Sequence, residues 1–154
     1  MMSAMPPASD APELDQVEVA GRLRLSVTRL SRILRQQADL GLTASQLTAL
    51  ATISREGPLT LGALADVEHV SPPTITKIVE KLEAMGLIER RIDADDRRRT
   101  LAATTTAGED LLAEGRARKD AILVTRLAKL DADQVERLAG ALDALDALAG
   151  TERQ

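Results

Sequence analysis

Residues 71–86 read SPPTITKIVEKLEAMG, and both ends of this stretch carry helix signals. Ser71 is a residue type that begins helices, Pro72 suits the first helical position because it lacks an N–H, and Gly86 suits the position after the last turn. Between these ends, apolar residues recur at the three- and four-residue spacing of one helix face: Ile75, Ile78, Val79 and Leu82. The stretch therefore predicts an amphipathic helix with one buried face.

Two further helices are predicted before this stretch. Residues 43–57 have a helical pattern that begins with Thr43 or Ser45 as cap and stops at Gly57. Residues 59–69 predict a short helix capped by Thr60, which a tight turn joins to the next helix as a helix-turn-helix unit. His69, the only histidine, is interpreted as a turn residue, because one histidine cannot make a transition-metal site without cysteine or a carboxylate cluster. If the turn needs a left-handed backbone there, histidine tolerates it better than most residues.

A hairpin is predicted after the helix-turn-helix unit. Residues 87–92 and 99–105 are β-prone and flank the charged run DADDRRR. We expect Asp93 and Asp96 to turn this loop through backbone hydrogen bonds, and Asp96 also to hold one arginine side chain. The predicted fold is mainly α with a small β-hairpin wing: a winged helix-turn-helix flanked by N- and C-terminal dimerisation helices.

Long helical patterns flank this module on both sides. Residues 15–38 carry one apolar stripe, a helix capped by Thr106 follows the wing, and a last helix capped by Asp131 runs through Leu148. Nothing obvious inside the module receives these stripes, so we predict that they pack together and against a second protomer about a two-fold axis. A monomeric helical bundle is the alternative. The residues predicted to form the dimer contact are Val19, Leu23, Val27, Leu138, Leu142 and Leu145.

Composition excludes several classes of function. The chain has no cysteine, which excludes disulfides, thiolate catalysis and cysteine metal sites, and it has no aromatic residue, which leaves an aliphatic core. One histidine does not make a transition-metal site, and no catalytic triad or glycine-rich phosphate loop is present. We therefore predict no enzyme activity, no metal and no cofactor. No signal-peptide pattern and no apolar run near roughly 18 residues is found, which predicts a cytoplasmic protein without membrane contact.

Duplex DNA is the predicted partner, although the net charge is −4. The arginines Arg97, Arg98 and Arg99 have the length and charge to enter a narrow minor groove. The outer face of the helix in residues 71–86 offers small side chains and one cation that can approach base edges in a major groove: Pro72, Pro73, Thr74, Thr76 and Lys77. The alternative is a winged-helix module that binds another protein.

Three motifs resemble the MarR family, the multiple-antibiotic-resistance-type regulators. They are VSPPTITKIVEKLEAMGLIER at residues 70–90, DADDRR at residues 93–98 and T-x-x-G at residues 105–108. The resemblance implies a homodimeric regulator, in most cases a repressor, that binds a pseudo-palindromic operator and is released by a small ligand. By position, it assigns the wing's DxR pair to Asp96 and Arg98. It also assigns the base-reading positions to Ser71, Pro73, Thr74, Thr76 and Lys77.

The sequence pattern predicts domain limits, and the resemblance adds an effector site. The expected division is a disordered tail at residues 1–13, a dimerisation region at 14–42 and 106–150, and a winged DNA-binding domain at 43–105. An effector pocket lined by aliphatic residues and by Arg29 and Arg32 suits a small apolar or anionic compound. Three positions depart from the family pattern: Thr104 replaces a usual Leu, His69 a frequent Gly and Lys77 a common Arg.

Overall fold

The computed structural model describes residues 15–150, so the predicted disordered tail lies outside the described residues. The elements in chain order are α1 (Gln16–Gln37), α2 (Ala44–Glu56), β1 (Leu59–Thr60), α3 (Leu61–Glu68), α4 (Pro72–Ala84), β2 (Ile88–Ile92), β3 (Thr100–Thr104), α5 (Thr106–Leu127), α6 (Ala132–Gly140) and α7 (Leu142–Leu148). The described residues divide into two units: the first ends at Gln36, within the last turn of α1, and the second begins at Gln37. The predicted fold class, mainly α with a small sheet, is confirmed; the predicted domain limits stay a prediction.

The core of the second unit lies between α2, α3, α4 and the sheet. The spacing of α4 predicted its inner face correctly, because Ile75, Val79 and Leu82 are fully buried and Ile78 is partly buried. Because the chain has no aromatic residue, every buried side chain of this core cluster is aliphatic. The buried residues that pack together are Ala49, Leu50, Ile53, Leu64, Ala65, Ile75, Val79, Leu82, Leu87, Ile88, Ala102 and Leu112.

The sheet has three antiparallel strands in the order β1-β3-β2. The predicted hairpin is its larger part, and its register runs from Ile88 opposite Thr104 to Ile92 opposite Thr100. The sequence did not predict β1, in which Leu59 pairs with Ala102. Two residues are too short to show the alternation by which a strand is recognised.

The helix caps follow the predicted residue types, with one correction. Thr43 and Asp131 form capping boxes with Gln46 and Gln134, so Thr43 rather than Ser45 begins α2. The prediction that Thr106 caps α5 was wrong, because the N-cap is Thr105. Its extended backbone lets the Thr105 side chain accept a hydrogen bond from the Gly108 N–H at 3.1 Å, whereas Thr106 is already helical.

The last helical pattern forms two helices rather than one. α6 ends at Gly140 and α7 begins at Leu142. Between them the Ala141 N–H donates to the Leu138 carbonyl, three residues back rather than the four of an α-helix. Glycine in a helix interior costs about 1 kcal/mol relative to alanine, which favours a break at Gly140. The apolar spacing continued across the break, which is why the sequence predicted one helix.

The flanking helices α1, α6 and α7 contain no buried residue. Leu138 is 43% exposed and Leu142 is 45% exposed, and Val19 and Val27 are exposed too. Leu23 and Leu145 are partly exposed. These six residues are those predicted to meet a second protomer. No helix within residues 15–150 is both long and apolar enough to cross a membrane.

Candidate DNA-binding surface

The first turn of α4 has an unusual start. Ser71 has the extended backbone of an N-cap, as predicted, but its side chain makes no hydrogen bond to the helix backbone. Its hydroxyl instead pairs with the Thr74 hydroxyl at 2.8 Å. Pro72 and Pro73 have no N–H, and the Thr74 N–H donates to the Ser71 carbonyl at 2.9 Å, so the first turn needs no cap from the serine side chain. Two exposed hydroxyls therefore stand together at the helix start.

The predicted base-reading residues share one face of α4. Ser71, Pro73, Thr74 and Lys77 are exposed, and Thr76 is partly buried with its hydroxyl donating to the Pro72 carbonyl at 2.9 Å. This face is opposite to Ile75, Val79 and Leu82, so burial of the apolar face presents the polar one to solvent. The side chains of this face are small near the N-terminus of α4, and its cation, Lys77, lies about one turn further along.

A shallow cleft of about 180 Å³ lies between the start of α2 and this face of α4. The sequence reading missed one residue there, Lys81, which follows Lys77 by one helical turn. None of the ion pairs within residues 15–150 includes either lysine, so both ammonium groups are available to an anion. The cleft is lined by Thr43, Gln46, Thr74, Lys77, Ile78 and Lys81.

The turn between α3 and α4 depends on His69. Its φ is 52° and its ψ is 41°, and it is the one non-glycine residue with positive φ in the described part of the chain. The Val70 N–H donates to the Ala65 carbonyl at 3.1 Å and closes the turn. The interpretation of His69 as a left-handed turn residue is confirmed.

The wing loop is held by hydrogen bonds to its aspartates. The Asp95 N–H donates to Asp93 Oδ1 at 2.9 Å, and the Arg98 N–H donates to Asp96 Oδ1 at 3.0 Å. Backbone bonds from Asp93 to the Arg99 carbonyl and from Arg99 to the Asp96 carbonyl close the loop at 3.0 and 2.9 Å. The prediction that Asp93 and Asp96 turn the loop is confirmed.

The ion pair within the wing is different from the one predicted. Asp93, whose side chain is 15% exposed, lies 3.8 Å from the Arg99 guanidinium. Asp96 Oδ1 accepts the Arg98 backbone N–H, and none of the ion pairs within residues 15–150 includes the Asp96 side chain. Arg97 and Arg98 are exposed, and neither forms an ion pair within the described ranges. Two of the three wing arginines therefore project from a fixed loop.

The remaining predicted sites lie on α1. Arg29 and Arg32 are exposed there, and a shallow pocket on the same helix is lined by earlier residues, among them Glu18 and Arg22. Their role as effector contacts stays a prediction. Among residues 15–150, the histidine and the acidic residues form no group of three or more that could hold a metal ion.

Comparison with known proteins agrees with this geometry. The model of the MarR family matches residues 42–100, which span α2 through the start of β3. An uncharacterized HTH-type transcriptional regulator of Mycobacterium bovis is 37% identical over 131 residues, covering 84% of this chain and 92% of the relative. The HTH-type transcriptional repressor NicR of Pseudomonas putida is 34% identical over 96 residues, covering 62% of this chain and 61% of NicR.

A solved structure shares the fold. A mutant of MepR from S. aureus, bound to an oligodeoxyribonucleotide, superposes with a TM-score of 0.68 at 23% identity, covering 87% of this chain and 98% of MepR. The relatives are named as regulators of transcription, which supports the expectation that the chain is not an enzyme. With the family match across the winged module and a relative matched over nearly its whole length, the chain belongs to the MarR family of transcriptional regulators.

Proposed function

We propose that the protein is a homodimeric repressor that binds a pseudo-palindromic site in duplex DNA and is released by a small ligand. The observation that carries this proposal is the pair of exposed arginines, Arg97 and Arg98, on a loop that hydrogen bonds hold in place. A rigid loop presents its cations without an ordering cost at binding. That is the requirement for arginines that enter a minor groove, where the potential is most negative.

The exposed face of α4 supports insertion into the adjacent major groove. Small residues at its N-terminus allow close approach to base edges, and the Thr74 methyl and Pro73 can contact thymine methyl groups. Lys77 reaches a guanine or a phosphate, as a single cation without the bidentate geometry of an arginine. Lys81 and the cleft beside it suit a backbone phosphate. In this arrangement α4 reads sequence and the lysines position it.

The flanking helices support a dimer. Several apolar residues of α1, α6 and α7 are exposed in a single chain, which supports a dimer over the alternative of a monomeric bundle. A second copy is the natural occupant because closed two-fold dimers bury the same patch on both subunits. The charge distribution agrees, since α1 is rich in arginine and the helices after Asp131 are rich in acids.

Repression and ligand release rest on the relatives and on α1. NicR is named a repressor, and the MepR mutant was solved with an oligodeoxyribonucleotide. For the ligand, we propose a small apolar anion that contacts Arg29 and Arg32. A panel of such compounds should raise the melting temperature and weaken DNA binding in the same rank order. If no compound in a broad panel does either, ligand release is contradicted.

The test of DNA binding starts with duplexes that the purified protein selects from a random-sequence pool. The affinity for a selected duplex should fall steeply with salt, because each phosphate contact releases counterions. Replacing Arg98 by Ala should weaken binding by about 1–3 kcal/mol. Arg137→Ala is a matched control, because Arg137 is an exposed arginine of α6 paired with Asp133.

The rival function predicts another result. A winged module that binds proteins would select no duplex, or would bind DNA with weak and salt-insensitive affinity. An unchanged affinity in Arg98→Ala, with the control also unchanged, would remove the wing from the mechanism.

A further inference from the structure

One carboxylate joins three elements at the base of the wing. Thr104, at the end of β3, donates its hydroxyl hydrogen bond to Glu109 Oε1 at 2.6 Å. Ser54, near the end of α2, donates to Glu109 Oε2 at 2.8 Å. Glu109 itself lies in the first turn of α5. Each oxygen therefore ties a different element of the winged module to the helix that leaves it.

Both hydroxyls donate to a carboxylate that is ionised at neutral pH. The Thr104 hydroxyl and then the Ser54 hydroxyl lower the pKa of Glu109 below its ordinary value of 4.5, since both donate to the ionised form. Hydrogen bonds to an ionised acceptor are stronger than neutral ones. A negative charge in the first turn of α5 is also favoured by the helix dipole. The three groups therefore form a stable link at neutral pH.

The turn between α4 and β2 meets the same part of α5. The Thr105 hydroxyl donates to the Gly86 carbonyl at 2.6 Å, and the Thr105 N–H donates to the Leu87 carbonyl at 3.1 Å. Gly108 packs so closely that a Cβ there would lie 2.2 Å from the Leu87 carbonyl oxygen. The start of α5 is thus attached to α2, to the turn between α4 and β2, and to β3.

Thr104 does not lie where it could contact DNA in the proposed complex. It pairs with Ile88 at one end of the β2–β3 ladder, whereas Thr100 pairs with Ile92 at the end next to the loop with Arg97 and Arg98. Any effect of Thr104 on the arginines has to pass along the strand. Thr104 is also one of the three positions that depart from the family pattern, and the leucine usual there could not donate to Glu109.

We propose that Glu109 is a positioning residue, which through Thr104 and Ser54 sets the orientation of the wing, and hence of Arg98, relative to α5. The inference rests on the proposed DNA-binding function. The linked helix α5 continues toward α6 and α7, whose exposed apolar residues are assigned to the dimer. The link therefore fixes the orientation of each wing relative to α6 and α7, the helices that would set the distance between the two wings of the dimer.

The substitution that tests this is Thr104→Val, which keeps the β-branched shape suited to a strand and removes the hydroxyl. Thr104→Ser keeps the hydroxyl and should restore the link. Thr48→Val is the matched control, because the Thr48 hydroxyl bonds only to the Ala44 carbonyl within its own helix. Each variant is made in the full-length protein, with Arg98 present and with Arg98→Ala.

Affinity is measured for a duplex selected by the wild-type protein from a random-sequence pool. Thr104→Val should weaken binding by about 3- to 10-fold when Arg98 is present and by less than about 2-fold in the Arg98→Ala background. Thr104→Ser and Thr48→Val should bind as the parent does. An equal loss in both backgrounds, or no loss in either, overturns the proposal, since a general loss of stability would not depend on Arg98.

A second measurement needs no DNA. Amide hydrogen exchange at Asp93 and Arg99, whose N–H groups close the wing loop, should be faster in Thr104→Val and not in Thr48→Val. If the wild-type protein selects no duplex, the proposed function fails whatever the exchange shows. If it selects a duplex and wing exchange is unchanged in Thr104→Val, the positioning role of Glu109 fails and the proposed function stands.

Discussion

The helices α4 and α6 carry apolar residues at the same spacing, but the structure treats these residues differently. Ile75, Val79 and Leu82 of α4 are fully buried within one chain, whereas Leu138 of α6 is 43% exposed. Helical spacing in a sequence therefore identifies an apolar face but not what covers it. For α4 the cover is α2, α3 and the sheet; for α6 we propose a second copy of the chain.

The largest expected effect is on the buried side of this comparison. Leu82→Ala should lower the free energy of unfolding by about 2–5 kcal/mol, because it leaves a cavity in a closely packed core. Chemical denaturation at several protein concentrations measures this. The loss should be the same at each concentration if Leu82 packs only within its own chain, and a concentration-dependent loss would contradict that assignment.

The exposed leucines of α6 and α7 should instead affect the association of two chains. Leu138→Ala combined with Leu142→Ala should weaken dimer association by at least about 2 kcal/mol, or roughly 30-fold, because both leucines lose apolar burial in the proposed interface. Sedimentation equilibrium measures the dissociation constant, with Arg137→Ala as control on the same helix. A chain that stays monomeric at every concentration, or an unchanged dissociation constant, would contradict the assignment.

Two glycines allow the same comparison of packed and open sites with a single added methyl group. Gly108→Ala should destabilise the fold by about 1–3 kcal/mol, because the added Cβ meets the Leu87 carbonyl oxygen, which is backbone. Gly62→Ala in α3, where no atom lies within 4 Å of the added Cβ, should stabilise it by about 0.5–1 kcal/mol. Thermal and chemical unfolding of both variants test this, and a stabilising Gly108→Ala would show that α5 shifts freely.

The smallest expected effect concerns pH and Glu109. Its pKa is lowered on folding, so its contribution to stability is present above the ordinary value of 4.5 and is lost as pH falls through the lower folded value. The difference in unfolding free energy between wild type and Glu109→Gln should be constant near neutral pH and shrink below about pH 4.5. Other carboxylates titrate in both proteins and cancel. A difference that grows on acidification would contradict the hydrogen-bond assignment.

Local signals predicted much of the fold and of the candidate site. The face of α4, the left-handed His69 and the loop-closing aspartates each depend on residues a few positions apart. The two-residue β1 has no periodicity to detect, and the cap moved from Thr106 to Thr105 because neighbouring threonines look alike in sequence. The break after Gly140 was hidden by apolar spacing that continued across it.

The features that the sequence did not reveal depend on contacts between distant segments. Ser54 and Glu109 are 55 positions apart, and no local pattern pairs them. The ion pair of the wing joins Arg99 to Asp93 rather than to Asp96, and which of the two aspartates it joins depends on the folded path of the loop. Thr104 was a departure from a family pattern in sequence and is a hydrogen-bond donor in the structure.

The all-aliphatic core has an optical consequence. With no Trp, Tyr or Phe anywhere in the chain, the protein has almost no near-ultraviolet absorbance or fluorescence of its own. Ile92 is 71% exposed at the end of β2, beside the wing loop. A tryptophan placed there would be the only fluorophore in the molecule, and its emission would report the wing without background. An aromatic effector would likewise be seen directly as it binds.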